Sequence, residues 1–453
     1  MSRLVGIRRG PAGGLTSRSD AWRALTVLAA GSRLVHTERV QAYFADRVIT
    51  ETAQGCVDGG VVVVDGTAIT WVGRAADLPA ELADHAERVD LGAATLLPGL
   101  IDAHVHLGFD GGTDPVARMT GESDASQTAL MLASARELLS VGVTTARDLG
   151  ARTHVAVDVR NAIAAGTVRG PRLLVAGAPI TTTGGHCWFI GGEADSVDDV
   201  RRAVRLRHKA GVDVIKVMAT GGFMTPGSAP WFAQYATDEL AVIVAEAHRV
   251  GLRVAAHVHG VQGIDRVVAA GVDTLEHCTF SRDDGSVAFD PELADRIAAS
   301  SAYVSPTMNC RVPELVRRGA GKYRPAVGEL HARGAKIIAS TDAGIDFVPH
   351  RGYPAGLAAM VEFGVPAAAV LTAATSQAAT ALGVADLTGR LAPGLDADLV
   401  AVGGDPRTDP RAYADLRLVL TRGTRFHPDD LPPIPPMPAD WQPPILTAKP
   451  ARL

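Results

Sequence analysis

The segment Leu97-Pro98-Gly99-Leu100-Ile101-Asp102-Ala103-His104-Val105-His106 ends an apolar run in two histidines one residue apart. In an extended strand alternate side chains share a face, so His104 and His106 point the same way and Val105 points to the other. Two imidazoles so placed can converge on one ion. Later apolar runs bring Lys216, His257, His277 and Asp342. Any one of these six could be a hydrogen-bonded core residue, and Asp342 in Ser340-Thr341-Asp342 could cap a helix. All six at the ends of predicted strands point instead to one metal site, and to a hydrolase that uses two metals.

Imidazole and carboxylate suit Zn²⁺ or another first-row divalent ion, while the lack of neighbouring thiolates speaks against a purely structural zinc. Two such ions a few ångströms apart hold a hydroxide between them and polarise a carbonyl oxygen, and they need a bridging anion besides. Lys216 is the odd member, because an ammonium repels cations. It reads either as a salt-bridged core lysine with its stem packed in the interior, or as a lysine deprotonated by burial and two cations. CO₂ would then carboxylate the amine to an anionic bridge.

The elements that must position these residues follow from the hydrophobic pattern. Short β-branched runs at 97–104, 142–147, 172–178, 213–219, 252–258, 272–276, 302–305 and 336–340 alternate with segments of helical period, such as 198–210, 237–250 and 261–270. Several of those segments end at glycine (Gly211, Gly251, Gly271), as helices do. Eight strands alternating with helices predict an α/β fold, a (β/α)8 barrel whose catalytic groups gather at the carboxyl ends of the strands. A doubly wound open sheet is the competing arrangement, but no glycine-rich phosphate loop follows the first strand.

The flanks read as β-structure. Residues 59–74 form a hairpin turning at Asp65-Gly66, and further strands fall at 396–402 and 417–420. Both ends are expected to pair into one small β-sandwich beside the barrel. The predicted organisation is therefore a flexible N-terminal extension over 1–25, a composite sandwich over 26–97 and 384–427, the barrel over 98–383, and a Pro-rich tail over 428–453. Five arginines within residues 1–23 precede an apolar stretch at 24–30, which is at the short end of the ~7–15 residues of a signal peptide and lacks a clear small-x-small cleavage site. An extension leading into a first strand is expected there. The tail from Pro428 to Pro450 reads as a recognition segment or as an extended tail on the surface or in solvent.

Composition narrows the partners. With 47% hydrophobic residues the 453-residue chain has material for a large core, and no run reaches the roughly 18 apolar residues of a membrane span. Lys plus Arg at 44 against Asp plus Glu at 49 gives −5, which argues against a nucleic-acid or anionic-membrane surface. Cys56, Cys187, Cys278 and Cys310 are scattered and form no Cys-x-x-Cys, which fits a reducing, cytoplasmic setting. A small-molecule substrate is expected, with self-association into a homo-oligomer left open.

Taken together, Pro98-Gly99-x-x-Asp102-x-His104-x-His106, Lys216 in Ile215-Lys216-Val217-Met218-Ala219-Thr220-Gly221-Gly222, His257 in Ala256-His257-Val258-His259-Gly260, Glu276-His277 and Ser340-Thr341-Asp342 resemble the amidohydrolase superfamily. The later Pro393-Gly394-x-Asp396-Ala397-Asp398-Leu399 is similar to that family's return into its β-sandwich. The resemblance implies that His104, His106 and Asp342 hold the more buried metal. It implies that His257 and His277 hold the second, with carboxylated Lys216 between them. Asp342 would orient the hydroxide and shuttle its proton to the leaving group. The first histidine of the His257/His259 pair matches the family's ligand, which leaves His259 to touch substrate or merely a neighbour.

Deaminase-like members of the superfamily carry one metal and a Glu three residues after the fifth-strand His; here that position is Gly260. The loops Thr183-Gly184-Gly185-His186 and Ala219-Thr220-Gly221-Gly222, with Gln234-Tyr235, look more like the imidazolonepropionase-related peptidases, which cleave Xaa-Pro and other dipeptides or N-acyl amino acids. In that likeness His186 and Tyr235 hydrogen-bond the substrate carbonyl or its tetrahedral adduct, the alternative being bonds that only stabilise loops. Cys187-Trp188 after His186 departs from the relatives, which often have another glycine there. A substrate carboxylate needs cationic or donor-rich partners, and His259, Arg351 and Tyr353 stand on the loops after strands five and eight. Hydrolysis of a cyclic amide, lactone or phosphoester at the same centre is the rival reaction, and a barrel kept as a scaffold is the rival outside enzymes.

Overall fold

The computed structural model describes residues 40–319, 322–441 and 445. The expected N-terminal extension and the apolar stretch after it lie outside the described residues. Chain order gives β1 (Gln41–Ile49), β2 (Cys56–Asp65), β3 (Ala68–Arg74), β4 (Glu87–Asp90), β5 (Ala94–Pro98) and β6 (Leu100–Val105). Next come β7 (Val143–Asp148), β8 (Arg172–Val175), β9 (Val214–Met218), β10 (Arg253–Gly260), β11 (Thr274–Ser281), β12 (Tyr303–Ser305) and β13 (Lys336–Ile337). The last three are β14 (Leu399–Gly403), β15 (Leu416–Thr421) and β16 (Thr424–Phe426).

Both ends of the chain build one sheet in the order β16-β15-β14-β5-β1-β2-β3, with β4 beside β1. The β2–β3 hairpin sets Asp65 opposite Ala68, and Gly66 takes the turn at φ 55°. Tyr43, Val48, Val62, Leu96, Leu399 and Leu418 pack together on one face of this sandwich. Apolar burial of this kind supplies the main favourable term, roughly 1.5–3 kcal/mol for each large side chain.

The eight barrel strands run from β6 to β13. Parallel ladders join β6-β7-β8 and β9-β10-β11-β12-β13. Between β8 and β9 the ladder continues through Asp213 N–H to the Val175 carbonyl at 2.9 Å and Ile180 N–H to the Lys216 carbonyl at 2.8 Å. The ring closes where Ala103 N–H meets the Ala339 carbonyl at 3.0 Å and Asp342 N–H meets the His104 carbonyl at 2.8 Å. The strands at 142–147 to 336–340 therefore stand where the hydrophobic runs placed them. The first differs: Leu97 and Pro98 belong to β5 of the sandwich, and the barrel strand starts at Leu100 after Gly99. Gly99 is the joint, because a Cβ there would overlap the Thr144 side chain.

Helices Val197–Ala210, Thr237–Arg249 and Val261–Ala270 cover the barrel. Ser196 opens the first with a capping box to Asp199, which satisfies two otherwise orphaned N–H groups. Gly211 ends it in the left-handed conformation at φ 84°. Among the described residues no helix is long and apolar enough to cross a membrane. Within the described part of the tail Met437 is 4% exposed and lines a cavity at the barrel mouth.

Candidate metal centre

At the carboxyl ends of the barrel strands the Nε2 atoms of His104 and His106 lie 3.3 Å apart. Asp342 Oδ1 sits 3.3 Å from the first and 3.1 Å from the second. The far side of each ring is already engaged. His106 Nδ1 donates to the Gly150 carbonyl at 3.2 Å; a carbonyl only accepts, so the proton is on Nδ1 and Nε2 carries a lone pair. His104 Nδ1 lies 2.9 Å from Glu276 Oε2, which fixes the same tautomer. Three electron-pair donors thus face one another with no hydrogen between them, an arrangement that a divalent cation satisfies. Burial brings the His104 imidazole down to about 4, so the ring is neutral and ligand-ready at neutral pH.

A second cluster adjoins the first. Donor atoms of His257, His259 and His277 lie within 4.8 Å of one another, as do those of His104, His277 and Asp342. His277 therefore belongs to both groups. His257 Nε2 is 3.0 Å from the Gly221 carbonyl, which leaves Nδ1 for an ion. The His259 ring stacks on His277 at 4.6 Å and 18°, with its Nδ1 3.1 Å from Thr279 Oγ1. His259 thus belongs to the same cluster of donor atoms as His257.

Backbone conformation contributes to this convergence. His277 and Asp342 have φ of 69° and 61°, left-handed values that cost about 1–3 kcal/mol and persist only where the surroundings hold them. Burial alone would raise the Asp342 carboxyl, but the neighbouring His104 and His106 outweigh it and hold the group well below the usual carboxylate range. Lys216 projects from β9 and is 1% exposed. Burial pulls its amine down to about 8. Among the described residues it makes no salt bridge and no side-chain hydrogen bond, although the Glu276 and Asp342 carboxylates act on it through space and oppose part of that shift.

His186 also reaches the cluster. Its ring lies 4.5 Å from that of His257. Thr225 Oγ1 accepts from Cys187 N–H at 2.9 Å and lies 3.1 Å from His186 Nδ1, so the hydroxyl proton can go to Nδ1 and leave Nε2–H as a donor. The departure at Cys187 is thereby absorbed: Cys187 takes φ 57° and its N–H anchors the loop.

Three expected substrate contacts are not brought to the centre. The Tyr235 hydroxyl donates to the Ala194 carbonyl at 2.7 Å, deep in the packing between strands and helices. Tyr353 is fully buried and donates to the Ile101 carbonyl at 2.6 Å. Arg351 binds Glu137 Oε1 at 2.7 Å and the Pro433 carbonyl at 3.5 Å, on the outside of the barrel mouth. Each polar tip is satisfied elsewhere.

The sequence reading missed what stands behind the ligands. Glu276 accepts from Arg147 Nη2 at 2.9 Å and from Thr274 Oγ1 at 2.5 Å with the same oxygen, and faces His104 with the other. Asp102 accepts from the Thr341 hydroxyl at 2.5 Å and so ties the first strand to the loop that carries Asp342. Both residues were visible in the quoted motifs as neighbours of ligands.

This barrel, with its converging histidines and aspartate, defines a metal-dependent hydrolase. A sequence profile of the amidohydrolase family matches residues 95–425, and the chain belongs to that family as an amidohydrolase acting on carbon–nitrogen bonds. It is 31% identical over 398 residues to the ochratoxinase of Aspergillus niger, covering 79% of this chain and 80% of that one. The structure of a Xaa-Pro dipeptidase with bound methionine in its active site superposes with a TM-score of 0.76 at 28% identity, over 85% of this chain and 99% of the other. A prolidase complexed with N-methylphosphonate-L-proline gives 0.73 at 26% identity, over 85% and 99%.

Proposed function

We propose that this metal-dependent amidohydrolase cleaves the amide bond of a dipeptide or an N-acyl amino acid. The observation that carries the reading is Lys216: a buried amine without a salt bridge or side-chain hydrogen bond among the described residues, acted on by Asp342 and Glu276 at the histidine cluster, on a chain with Gly260 where a deaminase would have its proton-relaying Glu. His104, His106 and Asp342 would hold one divalent ion, and His257 with His277 a second. Lys216, carboxylated, would add an anionic ligand to this set. A pair of zinc-like ions supplies an activated water and a polarised carbonyl when bound.

The chain's own groups do the rest. Asp342 accepts the proton of the attacking water and passes it to the leaving amine, which must be protonated to depart. His186, with Thr225 holding its Nδ1, donates from Nε2 to the carbonyl oxygen as negative charge grows there. His259 lines the space next to His277 and Asp342 and is placed to touch the substrate. Among the relatives are a Xaa-Pro dipeptidase, a prolidase and an ochratoxinase, which supports an amide of an amino acid as the substrate. The four cysteines are free, in keeping with a reducing compartment such as the cytoplasm.

A panel of dipeptides, N-acyl amino acids, lactones and nucleobases tests the reading. Release of free amino acid from the first two is the expected outcome. Ammonia from a nucleobase, with no amino acid from any amide, would overturn the branch assignment. Native mass spectrometry should show one added CO₂ that is lost in Lys216→Ala; a bare lysine in a protein carrying both metals would refute the bridge.

A further inference from the structure

Met437 and Trp441 of the Pro-rich tail line a cavity that reaches His259, His277 and Asp342. Residues 428–441 contain no helix or strand, and prolines lack the N–H that a ladder requires, so the segment's carbonyls are open to outside donors. Two arginines from the loop and helix after β12 supply them. Arg311 Nη2 donates to the Pro435 carbonyl at 2.6 Å, while its Nε holds the Phe347 carbonyl at 2.7 Å. Arg318 Nη1 donates to the carbonyls of Pro438 at 3.0 Å and Trp441 at 3.1 Å, and its Nη2 to that of Met437 at 3.3 Å. Glu314 fixes the Arg318 guanidinium at 2.6 Å. The Trp441 ring meets Phe347 nearly edge-on at 5.0 Å. Four tail carbonyls are thus clasped to the barrel.

Under the clasp lies a cavity of about 150 Å³, of the order that accommodates a benzene ring. Its lining joins His259, His277 and Asp342 of the metal centre to Leu315, Met437 and Trp441. A flexible thioether and a large indole make a wall that adapts to rings and branched apolar groups. Asp342 marks which half of the substrate lies here, because it is the residue that hands a proton to the departing amine.

We propose that this cavity takes the side chain of the amino acid released by hydrolysis and prefers a ring-sized apolar one. Met437 and Trp441 of the tail are the specificity-determining residues. The inference rests on the amide-hydrolase reading. Water oxygen bonds to the carbonyl carbon, the carbon–nitrogen bond breaks, and the freed amine keeps the electron pair and takes the proton, while its side chain stays against Trp441 until release.

The test uses the full-length, metal-loaded protein with N-acetyl-L-phenylalanine and N-acetylglycine, and calorimetric binding of free phenylalanine and glycine. The wild type should prefer the phenylalanine amide by tenfold or more in kcat/KM. Trp441→Ala or Met437→Ala should cut that preference about tenfold, largely through KM, and Trp441→Phe should restore most of it. A preference that is absent, or unchanged in both alanine variants, overturns the proposal. If neither amide is cleaved, the amide reading fails by itself and binding decides the cavity. Phenylalanine bound in preference to glycine, with the preference lost in Trp441→Ala, supports the pocket; equal binding of the two amino acids overturns it.

Discussion

Glu276 Oε2 lies 2.9 Å from His104 Nδ1, while Oε1 of the same carboxylate lies 2.9 Å from Arg147 Nη2. Burial alone would raise this carboxyl, but Arg147 and then His104 outweigh it and keep it ionised. An ionised acceptor keeps the His104 proton on Nδ1 and therefore keeps the Nε2 lone pair aimed at Asp342 and His106. Glu276→Gln has one carbonyl oxygen where the carboxylate offers two, one to Arg147 and Thr274 and the other to His104. With that oxygen turned to Arg147, the amide N–H₂ faces His104 and drives the proton to Nε2, where a metal should sit. The expected result is a 10–100-fold loss of metal affinity, read by metal content after dialysis against graded chelator. Unaltered retention would show that the carboxylate does not set the tautomer.

Metal stoichiometry follows from the two overlapping clusters that share His277. The purified protein should hold close to two divalent ions per chain, and stripping them should abolish hydrolysis. Asp342→Asn or His104→Asn should lower turnover by several orders of magnitude, because each removes a group that acts as a unit with the ions. Elemental analysis paired with turnover checks this. Full activity without metal would refute it.

The barrel and the clustering of histidines with Asp342 were legible because buried parallel strands write themselves as short apolar runs, and because few residue types can bind a metal. Directions of side chains on loops were not legible. Tyr235, Arg351 and Tyr353 lie on the segments that follow the fourth and eighth barrel strands. Their partners are the Ala194 carbonyl, Glu137 and the Ile101 carbonyl, from distant segments that no local pattern reveals. Glu276 was hidden for a different reason. Strand alternation would turn neighbours Glu276 and His277 to opposite faces, whereas the left-handed φ of His277 breaks that alternation and lets both serve one site. The tail read as a recognition segment or as an extended stretch on the surface or in solvent, and its attachment was not legible because Arg311 and Arg318 that hold it lie more than a hundred residues earlier.

Gly222 is where the chain makes room for His186. A Cβ at this position would overlap the His186 ring from Nε2 to Cδ2. Gly222→Ala must therefore displace the imidazole from beside His257 or shift the loop. Overpacking of this kind costs about 1–3 kcal/mol, and kcat should fall on the order of ten- to a hundredfold while metal content stays at the wild-type level. Loss of metal in step with activity would mean that the loop supports the ligands rather than His186.

The return into the sandwich is held by a buried ion cluster whose meaning the motif did not disclose. Arg172 on β8 is 2% exposed and donates from Nη2 to Asp396 Oδ2 at 2.7 Å and Asp398 Oδ2 at 3.0 Å. Asp398 is itself buried and accepts the Arg422 N–H at 2.9 Å, so it joins barrel, linker and last hairpin at one carboxylate. Removing one member of such a cluster leaves an under-compensated charge away from water, at a cost of about 3–5 kcal/mol. Asp398→Ala should fall at the low end, near ~3 kcal/mol, since Asp396 still faces Arg172. The site lies at the other side of the barrel strands from the metal ligands, so kcat per folded molecule should stay unchanged. Chemical denaturation together with active-site titration separates the two effects. A stable Asp398→Ala protein with a damaged active site would contradict this assignment of the aspartate to the junction between sandwich and barrel.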